Sequence, residues 1–255
     1  MSKPLITIQN LKISRSNKIL LNRVDMSIHE FDRIVLVGEN GCGKSSLLRT
    51  LNKTDEIDDG IIWLSPNLKL YYLEQDPPEP SIFNLIEFLS KEIEHADLSK
   101  INDVIEQLNL KDINYRKKLS GGEIRKIYIA KAIISEPDIL LLDEPTNHID
   151  LPTIDWLEKK LLSLKKTMII VSHDQEFLKK IGSKIFWFHK GKIFKHEGSY
   201  QNFYEWSKEI ITIEKNKSHK MKQKIKIETK WSIEGISARR KRNMGRVRGL
   251  EKLSK

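Results

Sequence analysis

A single cysteine, Cys42, among 255 residues leaves no partner for an internal disulfide and suits a reducing compartment. No run approaches the roughly 18 to 20 consecutive apolar residues of a membrane span. The longest runs, such as Ile139–Leu142 and Met168–Val171, have the length of buried strands. The first residues, Met1-Ser2-Lys3-Pro4, lack the apolar core of a signal peptide, so the chain reads as cytoplasmic. No internal repeat with a period of roughly 20 to 50 residues is visible either.

What is present divides by charge. Residues 1–204 hold 29 Lys+Arg against 29 Asp+Glu, whereas residues 205–255 hold 16 against 6 and carry the whole formal charge of +10. Two physically different segments meet near Tyr204. The first, 1–204, alternates strand-like and helix-like stretches. Ile6–Ile13, Arg33–Val37, Ile61–Leu64, Lys69–Leu73, Ile139–Asp143 and Thr167–Val171 read as strands, and Lys184–Phe188 with Lys192–His196 as a hairpin. Helices are expected over Lys44–Leu51, around Ile82, Leu85, Ile86 and Leu89, around Ile101, Val104, Ile105 and Leu108, and over 120–135, Leu151–Lys165 and Asp174–Ile181. Alternation of this kind predicts an α/β fold with a mostly parallel core sheet and antiparallel strands near its start. The second segment, 205–255, is lysine-rich and reads as a basic, mainly helical stretch or a partly disordered, solvated tail.

Gly38-Glu39-Asn40-Gly41-Cys42-Gly43-Lys44-Ser45, followed by Ser46, is the GxxxxGKS phosphate loop between an expected strand and an expected helix. Glycines let the backbone turn its N–H groups onto phosphate oxygens, and the helix N-terminus adds its positive end. Lys44 would reach the β and γ phosphates and the Ser45 hydroxyl would ligate Mg2+. About 100 residues later, an apolar strand ends in Asp143 and Glu144, which suit a metal ligand and a base for an attacking water. Leu119-Ser120-Gly121-Gly122-Glu123 opens a helix with a capping box and room for close backbone approach.

In this identity, order and spacing the motifs resemble the ATP-binding cassette superfamily. The resemblance implies a P-loop core sheet, an antiparallel β part and a small helical subdomain at about 77–135. It implies ATP and Mg2+ as ligands, and a head-to-tail dimer in which Ser120–Glu123 complete the site of the other cassette. Gln75 matches the glutamine that contacts Mg2+ and the attacking water, His173 the switch histidine at the γ phosphate, and Asp150 the D-loop aspartate.

Pro145-Thr146-Asn147-His148-Ile149-Asp150 is similar to the ABC-F branch, which carries two cassettes per chain and no membrane domain. Glu74-Gln75-Asp76-Pro77-Pro78 sharpens the likeness toward the Uup proteins of that branch, as do Gly235–Asn243 and Gly245–Arg248, which resemble the basic linker between their two cassettes and imply that 205–255 is part of such a basic helical linker. The resemblance implies an ATPase acting on ribosomes or branched nucleic acid, with Arg239, Arg240, Lys241, Arg242, Arg246 and Arg248 as contacts. Two rival readings are the ATP-binding subunit of a membrane transporter and a catalytically incomplete fragment lacking its second cassette. Where the family carries an aromatic against adenine, this sequence has Arg15, whose guanidinium plane offers an alternative stacking surface.

Overall fold

The computed structural model describes residues 3–16, 18–80, 84–91, 97–113 and 118–235, with side chains as far as residue 229. Two long strands open the chain, β1 (Pro4–Arg15) and β2 (Lys18–His29), paired antiparallel. The short strand β4 (Asp59–Leu64) joins the other edge of β1. Sequence periodicity does not reveal β2. Val24, Met26 and Ile28 alternate inward, but Leu20 and Leu21 are both buried, and the β1–β2 register shifts at four places. Each shift breaks the two-residue period on which such a reading depends.

The main sheet has the order β5-β6-β7-β3-β8-β9. It comprises β3 (Arg33–Gly38), β5 (Leu70–Leu73), β6 (Ile139–Asp143), β7 (Thr167–Val171), β8 (Lys184–His189) and β9 (Lys192–Glu197), parallel except for the β8–β9 hairpin. Every residue of β6 and β7 is buried, because both faces of the sheet are covered. Ile139, Leu141, Ile169 and Val171 share one core with β1, β2 and α1 (Lys44–Leu51). Leu140, Leu142, Met168 and Ile170 share the other with α2 (Leu85–Ser90), α3 (Leu98–Gln107), α4 (Gly121–Ile134), α5 (Leu151–Ser163) and α6 (Gln175–Ile181). Strand order sets β7 between β3 and β6, which brings three carboxyl ends side by side. That edge is where ligands bind in parallel α/β sheets.

Contacts divide the chain after Gln201. The described part of the second unit is one helix, α7 (Phe203–Gly235), of 33 residues and about 50 Å. Phe203 and Trp206 approach with ring centroids 6.1 Å apart, and Lys208 Nζ lies 4.1 Å from the Tyr204 ring centroid. Ile213, Met221 and Ile227 are exposed. The basic cluster Arg239, Arg240, Lys241, Arg242, Arg246 and Arg248 lies outside the described residues, as does Ile82. Among the described residues no helix is long and apolar enough to cross a membrane.

Candidate functional site

From Gly38 the chain turns through Glu39–Cys42 into α1, whose N-cap is Gly43. Gly43 has φ +110°, a left-handed conformation that L side chains rarely adopt, and a Cβ there would sit 3.0 Å from Leu20 Cβ. No side chain caps this helix, so its first N–H groups are left for an anion. Lys44 Nζ donates to the carbonyls of Gly38 at 2.8 Å and Glu39 at 3.1 Å, which lays its ammonium across the loop.

Asp143 closes β6 and is buried. Its Oδ2 accepts the Tyr72 hydroxyl at 3.2 Å, and Ser45 lines the same cavity as this carboxylate. Burial pushes the Asp143 carboxyl above the usual range, against the pull of nearby donors. Asp143 Oδ1 is buried without a hydrogen-bond partner among the described residues. An orphaned carboxylate oxygen beside a serine hydroxyl fits a hard cation such as Mg2+, which takes oxygen ligands.

Glu144 follows in a left-handed conformation, φ +52°, uncommon for a glutamate and typical of strained functional turns. Its backbone N–H bonds Val171 O at 2.8 Å, which fixes the turn to β7. The carboxylate is buried, and burial raises its pKa. One oxygen accepts the His173 backbone N–H at 3.0 Å and the other lies 3.4 Å from His173 Nε2.

These groups line one cavity of ≈ 410 Å3. Asn40, Gly41, Gly43, Lys44, Ser45 and Ser46 form its loop and α1 wall, with Leu20 and Arg49 beside them. Gln75, Asp143, Glu144, Asn147, Val171 and His173 form the wall from the ends of β5, β6 and β7. A cation and free N–H groups on one side thus face two carboxylates and an imidazole on the other. Such a cavity suits a polyphosphate bound through a divalent cation, with a carboxylate near the terminal phosphorus.

The family model described as ABC transporter matches residues 21–147, from β2 to the loop carrying Asn147. The chain is 38% identical over 260 residues to the ATP-binding protein Uup of Buchnera aphidicola subsp. Schizaphis graminum (strain Sg), covering 99% of this chain and 44% of that protein. The chain belongs to the ATP-binding cassette family. It is 33% identical over 287 residues to Uup of Escherichia coli (strain K12), covering 97% of this chain and 45% of the relative. To the energy-dependent translational throttle protein EttA of Mycobacterium tuberculosis (strain ATCC 25618 / H37Rv) it is 27% identical over 295 residues, covering 100% and 53%. The chain spans less than half the length of these Uup relatives. A solved ATP-binding subunit of an ABC transporter superposes with a TM-score of 0.67 at 19% identity, over 76% of this chain and 90% of that one, a likeness of fold.

Ser120, Gly121, Gly122 and Glu123 do not line the cavity; they open α4 of the cassette. Ser120 Oγ accepts the Glu123 N–H at 3.3 Å, and Glu123 Oε2 accepts the Ser120 N–H at 2.8 Å. A Cβ on Gly122 would stand 2.6 Å from His148 O, so α4 begins hard against the loop after β6. Asp150 caps α5 through Thr153 N at 2.9 Å and takes Lys126 Nζ at 2.6 Å. Those partners, Lys126 first, hold its carboxyl down at about 2. Gly38, Glu39 and Cys42 belong to the loop without lining the cavity. Arg15 does not line the cavity: its guanidinium pairs with Asp55 at 2.9 Å, Asp55 also holds Arg49, and Leu20 is the nearby residue that reaches it.

Sequence reasoning missed Arg125. Its side chain, 2% exposed, clamps carbonyls on two loops. Nη1 donates to Glu74 O and to Gln75 O at 3.1 Å, and Nη2 to Asp143 O at 2.6 Å and Glu144 O at 2.5 Å. Burial lowers its pKa to about 10, which leaves it cationic at neutral pH. An arginine two residues past a capping box reads as solvent-facing. The available signal is that α4 carries apolar residues on nearly every side, the mark of a helix without a solvent face.

Proposed function

We propose that the cassette binds Mg-ATP in this cavity and hydrolyses it when a second cassette closes on it head to tail. The observation that carries the reading is the convergence of Lys44, Ser45, Gln75, Asp143, Glu144 and His173 on one ≈ 410 Å3 cavity at adjacent strand ends. The loop N–H groups and Lys44 take the β and γ phosphates. Ser45, Asp143 and Gln75 would hold Mg2+, whose charge offsets that of the phosphates. Glu144 accepts the proton of the attacking water or orients it, and His173 holds the γ phosphate. Ser120–Glu123 offer a capped helix N-terminus to the nucleotide of the other cassette.

In the cell we assign it an ABC-F, Uup-like role in the cytoplasm, acting on ribosomes or branched nucleic acid through the basic segment 205–255. Identity to Uup proteins over nearly the whole chain supports the branch, and the translational role named for EttA supports the target class. The charge of that segment agrees. The test is light scattering of the Glu144→Gln chain with and without Mg-ATP. A doubling of mass on adding nucleotide supports a head-to-tail pair of these chains; a monomer at tens of micromolar points to a different partner cassette. Failure to bind Mg-ATP at all removes the reading. For the target, affinity for duplex DNA should fall with salt at a log–log slope of about −0.9 per phosphate contact and be lost on deleting 205–255.

A further inference from the structure

Arg125 stands on α4, five residues beyond the N-cap Ser120, and holds carbonyls from two other parts of the chain. Glu74 and Gln75 follow β5; Asp143 and Glu144 span the end of β6. These two segments supply three of the groups that face the candidate cavity, Gln75, Asp143 and Glu144. A guanidinium is planar, with its donors in a rigid fork, so a shift of its helix carries both pairs of carbonyls with it or breaks the bonds. Burial makes breaking costly, because carbonyls and guanidinium alike would lose partners away from water. Two further contacts tie α4 to the same region. Tyr71 Oη donates to Tyr128 O at 3.2 Å, and Lys126 pairs with Asp150 at 2.6 Å. Of the three, the Arg125 clamp alone reaches the backbone of cavity residues.

We propose that Arg125 is a positioning residue that makes the placement of the Ser120–Glu123 helix start and the alignment of Gln75 and Glu144 a single mechanical event. Closure of another molecule against the start of α4 then sets the water-activating groups, and displacement of α4 spoils them. Arg125 touches neither nucleotide nor water in this scheme; it acts through the two backbones it holds. The inference rests on the reading of the cavity as an ATP site.

The experiment compares the full chain with Arg125→Lys and Arg125→Met, using three readouts. Equilibrium binding of Mg-ATP tests the site itself, hydrolysis gives kcat and KM, and amide hydrogen exchange follows segments 74–76, 119–125 and 143–147 with and without Mg-ATP. In the parent, nucleotide should slow exchange in all three segments together. In Arg125→Met, affinity and KM should stay within about threefold, kcat should fall about 100-fold, and protection should remain at 143–147 but no longer reach 119–125. Arg125→Lys, which keeps a cation but loses the fork, should recover part of kcat and part of the shared protection.

A purely structural role would lower thermal stability and weaken ATP binding without separating the segments. Shared protection that survives in Arg125→Met, or kcat unchanged, overturns the proposal. If the parent binds Mg-ATP but does not turn it over alone, the exchange comparison decides. A parent that binds no Mg-ATP defeats the ATP reading itself, an outcome distinct from uncoupled segments in a chain that binds.

Discussion

Glu144 grips His173 at two points, with one carboxylate oxygen on its backbone N–H at 3.0 Å and the other 3.4 Å from its ring Nε2. Glu144→Gln keeps the shape and one acceptor oxygen while removing the charge and the basicity. Hydrolysis should fall by about 10² to 10⁴, the usual worth of a general base, with Mg-ATP affinity unchanged within about threefold. Single-turnover hydrolysis beside equilibrium binding measures both. A Gln variant as fast as the parent would remove Glu144 from the base role.

Lys44 lies across its own loop, bonded to Gly38 O and Glu39 O, and supplies the cation nearest the expected phosphates. Lys44→Ala should therefore weaken nucleotide binding itself, by tenfold or more on the scale of about 1.4 kcal/mol per decade. Its melting temperature without nucleotide should stay close to that of the parent. Titration with a fluorescent ATP analogue checks the first expectation and a thermal melt the second.

Tyr72 donates to Asp143 Oδ2, leaving Oδ1 as the carboxylate oxygen without a partner among the described residues. Tyr72→Phe frees the carboxylate to rotate. The Mg2+ concentration at half-maximal nucleotide binding should rise about tenfold, the lower end of what loss of a ligand's supporting hydrogen bond costs. An Mg2+ titration at fixed ATP reads this. An unchanged midpoint would mean the Tyr72 bond does not hold the carboxylate in place.

Asp150 has a folded pKa of about 2 against an ordinary 3.8, so folding favours its charged form. Its contribution is therefore complete above about pH 4 and is lost as pH falls through the folded value. The side chain is 53% exposed, which limits the Lys126 pair to below about 1 kcal/mol, while the α5 cap is worth about 1 kcal/mol. Asp150→Ala should be less stable than the parent by about 1 to 2 kcal/mol at neutral pH. Denaturant melts at neutral pH and at about pH 2 should show that gap narrowing in acid. A constant gap would assign the loss to something other than the carboxylate.

The parallel strands were legible because burial on both faces turns them into short apolar runs, as in Ile139–Leu142 and Met168–Val171. The helix at 120–135 was legible through its capping residues. Strand β2 was not, because irregular pairing with β1 scrambles its alternation. Strand order was beyond reach as well, since periodicity says which face a residue takes and nothing about neighbours. Within the candidate site, the loop and the carboxylates announce themselves by spacing. Tyr72 and Arg125 do not, for their partners lie 71, 51, 50, 18 and 19 residues away. The lysine-rich segment gave an ambiguous reading because few apolar residues mark a face, yet it is helical as far as Gly235.

The position of β7 bears on how the protein is made. It is synthesised after β3 and β6 but lies between them. On the ribosome, a growing chain that has not yet released residues 167–171 has no bridge between the phosphate loop and the acidic pair. Both flanking strands then present open backbone edges, the kind that recruit stray strands. The full cavity, with Val171 and His173 in its wall, is complete only once β7 has entered that gap, so full ATP affinity would report that the core of the nascent domain has closed.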